Sequence, residues 1–139
     1  MKRYLLDTSL LAGFFHQRQK AVELITPWLR DHEVATSMVV YAEVIEYLKG
    51  LPEFLTHYKA FHKVLHEITP YPLTYPILDR YADIRRQLRQ PYGIGLIGDL
   101  DTLIAATALE HTLTLVTIDR DFERVPHLKL VFVDFKKVA

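Results

Sequence analysis

The sequence predicts an α/β domain of three layers, a central and mostly parallel sheet covered by helices on both faces. Two observations predict this class. Short apolar segments alternate with longer stretches of helical periodicity along the whole chain, and Leu113 to Val116 is a near-continuous apolar run of the kind a central strand buried on both faces requires. A third fixes where function belongs: acids follow strand ends at Asp7 and Asp119, on the edge where parallel sheets bind ligands.

Taken in order, Lys2 to Leu6 reads as a short strand ending at Asp7, after which Thr8 or Ser9 can cap a helix over Leu10 to Phe15. A second helix is expected over Gln17 to Arg30 despite Pro27, then a strand from Glu33 to Thr36. Ser37 is a good N-cap for a helix over Met38 to Lys49, which Gly50 closes. Amphipathic spacing predicts helices over Pro52 to Leu65 and Pro76 to Arg89, with the stretch from Ile68 to Tyr75 broken by Pro70 and Pro72. Gly93 to Gly98 reads as a loop, Asp99 to His111 as a helix, Leu113 to Ile118 as a strand, Asp121 to Arg124 as a short turn and Lys129 to Val133 as a last strand. No repeat or linker interrupts this order, so residues 1–139 are expected to form a single domain.

Composition narrows the chemistry. Of 139 residues, 50% are hydrophobic and only 5 are Gly and 7 Pro, enough apolar material for one continuous core and too little bias for disorder. The apolar runs are far shorter than the roughly 18 to 20 residues that cross a bilayer, and an acid at position 7 argues against a secretory leader, so a cytoplasmic protein without a membrane span is expected. The absence of Cys removes disulfides, thiolate metal sites and thiol catalysis, leaving oxygen or imidazole for any metal. With 17 basic and 17 acidic side chains there is no global field to draw in nucleic acid, and charge has to be read locally.

Read locally, the acids converge. Asp7 can be a helix cap or a metal ligand. Glu43 lies among Val39, Val40 and Tyr47 at helical spacing, where a carboxylate is poorly hydrated and needs a partner. Glu46, beside Lys49 and Glu53, reads as part of a solvated face. Asp99 and Asp101 open a helix whose interior, Leu103 to Leu109, is small and apolar; acids suit that end, and Asp99 is the better candidate for the cap. Asp119 closes a strand and faces the same edge, Asp121 reads as a cap, and Thr117 shares Asp119's side of the strand and can orient a carboxylate or a water. Carboxylates gathered without thiolate or imidazole suit Mg²⁺ or Mn²⁺, and the chemistry such a site supports is displacement at phosphorus.

The segments Leu6-Asp7-Thr8-Ser9, Ser37 to Glu43, Asp99-Leu100-Asp101-Thr102-Leu103-Ile104-Ala105-Ala106 and Val116 to Phe122 together resemble the PIN-domain family, and within it the VapC toxins, in the right order over essentially the whole chain. The resemblance implies a metal-dependent endoribonuclease with Asp7, Glu43, Asp101 and Asp119 as an acidic quartet and Asp99 competing with Asp101 for the third position. It also implies an RNA substrate, a homodimer and a VapB-type antitoxin whose C-terminal segment covers the acidic pocket. Thr112 stands where that family commonly has Gly. A PIN-type nuclease acting in RNA processing or on DNA would use the same chemistry, and in a non-catalytic binding module the acids would merely cap helices.

Other signals compete. Gly93-Ile94-Gly95-Leu96-Ile97-Gly98 spells a dinucleotide fingerprint, but a polar helix ended by Pro91 precedes it where a buried strand is needed, and two acids follow where a pyrophosphate would sit. His62 and His66 have the spacing of a zinc pair with no third ligand, and an exposed helix face explains them. Arg80, Arg85, Arg86 and Arg89, with Tyr81 and Tyr92, form the densest basic segment; a clamp on RNA phosphates and a solvated face with local ion pairs explain it equally well. Phe14, Phe15, Trp28, Tyr41, Tyr47 and Phe54 read as core, with some available for a dimer or antitoxin surface.

Overall fold

A computed structural model describes residues 1–135. Among the described residues five strands form one sheet in the order β3-β2-β1-β4-β5, all pairs parallel: β1 (Tyr4–Leu6), β2 (Val34–Ser37), β3 (Thr69–Tyr71), β4 (Thr114–Thr117) and β5 (Leu130–Phe132). Flanking it, among the same residues, are the helices α1 (Thr8–Phe15), α2 (Gln19–Arg30), α3 (Met38–Lys49), α4 (Phe54–Leu65), α5 (Tyr75–Leu88) and α6 (Asp99–Glu110). α1 packs with α2 and α3, and α5 packs along α6, so that the sheet is covered as its sequence requires. Leu5, Leu6, Val34, Ala35, Leu115 and Val116 are fully buried in the three central strands. Phe14, Phe15, Trp28, Tyr41 and Phe54 pack partly buried against that core, whereas Tyr47 stands exposed.

The sheet order places a switch point between β1 and β4. From β1 the chain winds outward through β2 to β3, then returns across the sheet to β4 on the other side of β1. Loops leaving the carboxyl ends of these two neighbours part in opposite directions, and the crevice between them is where a parallel sheet presents side chains to a ligand.

Several boundaries differ from expectation for identifiable reasons. The helix after β1 starts at Thr8 because Asp7, not Thr8 or Ser9, is its cap: the Asp7 carboxylate accepts from the Leu10 amide at 3.1 Å. The proline-broken stretch holds β3. Among the described residues it is an edge strand paired with β2 alone, so the missing amide of Pro70 leaves no ladder bond unmade on its outer side. α6 ends with Thr112 at φ 55°, where the amide of Leu113 reaches the Ala108 carbonyl at 2.8 Å and that of Thr112 the Leu109 carbonyl at 3.2 Å. That is a Schellman stop with a β-branched residue in the left-handed position that glycine usually fills. The Gly93–Gly98 segment follows α5 and caps α6, and a Cβ at Gly93 would collide with the Gln87 carbonyl; its first glycine serves packing on the end of α5, not a phosphate.

Candidate active site

The switch point brings the acids to one edge. Asp7 leaves β1, Asp119 follows β4 by two residues, Glu43 projects from the second turn of α3, and Asp101 lies in the first turn of α6. Side-chain hydroxyls fix the first three. Thr117, fully buried, donates its hydroxyl to Asp7 Oδ2 while accepting the Asp119 amide at 3.0 Å, so one threonine ties together the acids of β1 and β4. Thr8 donates to Glu43 Oε1 at 2.5 Å, which links the start of α1 to α3. Thr117 thus bonds the Asp7 carboxylate and the Asp119 amide, and Thr8 bonds Glu43 while Asp7 serves as the cap.

Electrostatics report the convergence. Burial pushes the Asp7 carboxyl up to about 6, against the hydrogen bonds from Thr117 and the Leu10 amide, and the charges of Asp101 and Asp119 add to the rise. Asp101 also rises to about 6, by partial burial and then by the charges of Asp119, Glu43 and Asp121. Among the described residues none of Asp7, Glu43, Asp101 and Asp119 forms an ion pair with Lys or Arg. Asp7, only 6% exposed, thus stands in the field of like charges with no Lys or Arg paired to it among the described residues. Acids share a field here without sharing a point: among the described residues no three acid or imidazole side chains stand close enough to grip one ion.

Asp99 and Asp101 separate cleanly. The side chain of Asp99 is 68% exposed, pairs with Arg85 Nη1 at 2.5 Å and accepts from the Tyr81 hydroxyl at 3.2 Å. It does not cap α6; that position belongs to Gly98. Arg85 is consequently occupied, while Arg86 lies 6.0 Å from the Tyr92 ring centroid and Arg89, exposed, ends α5. Asp121 differs from its reading as a cap. The cap of the 3₁₀ turn over Arg120–Arg124 is Asp119, which accepts the Asp121 amide at 2.8 Å, and Asp121 adds to the negative field at Asp101. The signal for it was the repeated Asp-x-Asp spacing of 99/101 and 119/121. The histidines at 62 and 66 are not alike: His62 is half-buried and bonded to the Tyr41 hydroxyl at 2.9 Å, while His66 is exposed.

The PIN-domain family model matches residues 4–128, which span every strand but β5 and all four of these acids. The chain belongs to the PIN-domain family. Solved PIN-like neighbours cover nearly all of it: VapBC2 from Rickettsia felis bound to a promoter DNA fragment (TM-score 0.83, 22% identity, 94% of this chain and 98% of that one), and DNA-bound VapBC from Salmonella typhimurium (0.82, 18%, 95% and 98%). VapBC-1 from nontypeable Haemophilus influenzae is similar in the same way (0.80, 23%, 96% and 98%). At such identities the likeness establishes the PIN fold alone. No curated protein sequence matches the chain.

Proposed function

We propose that this PIN domain is a metal-dependent endoribonuclease, the toxin of a VapBC-type toxin–antitoxin pair. The observation that carries the nuclease reading is the set of carboxylates at the β1/β4 switch point, held by Thr117 and Thr8 yet given no cationic partner among the described residues. Structural caps would be satisfied by backbone amides alone, as Asp7 partly is; a buried negative field with no countercharge is costly and calls for a cation from outside. Support for the toxin reading comes from the VapBC neighbours, and with it go a VapB-type antitoxin, a homodimer and a cytoplasmic location.

The donor set is oxygen only, which fits Mg²⁺ or Mn²⁺. Asp7, Asp101, Asp119 and Glu43 would hold the ion directly or through water; when bound, it supplies Lewis acidity at the phosphate and acidifies water. The chain's own residues do the rest. Thr117 keeps Asp7 and the Asp119 backbone in fixed relation, Thr8 aims Glu43, and Asp99 remains engaged by Arg85, a neighbour and not a ligand. Arg86 and Arg89 are the members of the α5 segment left for an RNA phosphate.

Asp7→Asn tests this directly, because its amide oxygen can still accept from the Leu10 amide while its NH2 group donates to the Thr117 hydroxyl oxygen. Folded Asp7→Asn protein should fail to cut single-stranded RNA in Mn²⁺ under conditions in which the wild type cuts it. Cleavage at the wild-type rate would refute the assignment.

A further inference from the structure

Two arginines sit over phenylalanine rings in one cleft whose lining includes Ile118 and Arg120, the residues on either side of Asp119. The Arg120 guanidinium is 3.9 Å from the ring centroid of Phe132 on β5, and Arg18, at the start of α2, is 4.1 Å from that of Phe135. Both pairs line a cleft of about 1080 Å³ along the β5 edge, which also includes Ile118. Ile118, Arg18 and Phe135 in turn belong to a neighbouring cavity of about 530 Å³ whose walls include Thr8. The two cavities thus form one groove. It begins at Thr8, which holds Glu43, passes Ile118, which precedes Asp119 and is 43% exposed, and continues between the stacked arginines.

We propose that this groove is the binding track for a single-stranded RNA segment on one side of the scissile phosphate, with Arg18 and Arg120 as its phosphate contacts. The inference rests on the nuclease reading above. A guanidinium seated on a ring is held in one plane with its N–H edge directed outward, the fork that fits a phosphate, and the ring beneath it offers apolar surface to a base. The cations are also where they are needed. The acids repel a polyanion, and Arg120, which directly follows Asp119 in the chain, carries its positive charge over Phe132 in the adjoining cleft. Its partner Glu123 lies at 3.4 Å on an exposed surface, a pair weak enough to yield to phosphate. Lys20 is not counted, since its ammonium is taken by the Asp134 carbonyl at 2.5 Å. Glu23 and Asp134 also line the cleft, which keeps its net charge low and fits a track that holds RNA loosely, not an anion trap.

Arg18→Ala/Arg120→Ala, with Arg18→Lys/Arg120→Lys as its charge-keeping counterpart, tests this in two assays. Binding of a fluorescent 12-nucleotide single-stranded RNA is measured in EDTA over a salt series. Cleavage of the same RNA and of a dinucleotide is then measured in Mn²⁺. The alanine pair should bind the 12-mer about 10-fold more weakly, with the salt slope shallower by about 1.4, two phosphate contacts at about 0.7 each. It should cut the 12-mer more slowly than the wild type does, with a smaller loss on the dinucleotide, and the lysine pair should recover the salt slope but only part of the affinity. Wild-type affinity and slope in the alanine pair would overturn the proposal and leave the groove to a peptide partner. A wild type that cuts neither RNA would instead overturn the nuclease reading, which separates the two failures.

Discussion

Asp99 and Asp101 share the first turn of α6 and differ in everything else. Asp99 looks outward, its charge paired with Arg85 and further bonded by Tyr81; Asp101 is half-buried in the field of Asp119, Glu43 and Asp121, with no Lys or Arg paired to it among the described residues. Both complement the helix dipole equally well. The fold thus neutralises one acid and leaves its neighbour in a field of like charge. Stability alone gives no reason for that asymmetry, whereas a site that recruits a cation does.

Breaking the two faces separately gives the largest contrast. Asp101→Asn should lower RNA cleavage in Mn²⁺ by at least about 100-fold, more than the loss expected when only an outer-shell partner of a metal ligand is removed. Asp99→Asn should stay within about 3-fold of wild type, because an exposed ion pair contributes only about 0–1 kcal/mol. Equal losses in the two variants would erase the distinction.

The same contrast governs stability in the absence of metal. Asp7 and Asp101 have carboxyls raised from 3.8 to about 6, so between those values the folded chain keeps protons that the unfolded chain has released. Metal-free stability should therefore fall as pH rises from about 4 through 6 and stay low above it. Asp7→Asn should flatten that fall and raise stability at pH 8 by about 1–2 kcal/mol, the relieved charge burial less part of a hydrogen bond. Thermal unfolding in EDTA from pH 4 to pH 8 reads both effects, and an identical pH slope for wild type and Asp7→Asn would contradict the account.

Smaller effects belong to the neutralised face and to the far end of the helix. Arg85→Ala should cost no more than about 1 kcal/mol, and less at high salt, since the carboxylate it leaves behind is exposed. Thr112→Gly should raise the melting temperature by the equivalent of about 1 kcal/mol by placing glycine at the left-handed stop. A melting temperature that falls on Thr112→Gly would show that Thr112 makes contacts that outweigh its backbone cost.

What the sequence made legible was whatever rests on local chemistry. Ser37 capping Met38–Lys49, the apolar β4 and the acids after β1 and β4 all follow from periodicity and neighbours, and the structure keeps them. Edge strand β3 was hidden because three residues containing Pro70 have no periodicity to read, and only pairing with β2 makes them a strand. The choice between Asp99 and Asp101 was hidden for another reason: it depends on where Arg85 and Tyr81 of α5 sit after packing, which no spacing along the chain encodes. Likewise Arg18 meets Phe135 only through the closed fold, so the basic segment visible in the sequence, Arg85 to Arg89, drew notice that the scattered arginines of the groove could not.

The most direct measurement is calorimetric titration of Mn²⁺ into wild type, Asp99→Asn and Asp101→Asn at neutral pH, without RNA. Saturable binding that survives in Asp99→Asn and disappears in Asp101→Asn is the predicted result. Identical isotherms for all three proteins, or no binding to the wild type, would contradict the claim that the unpaired acids are there to hold a divalent cation.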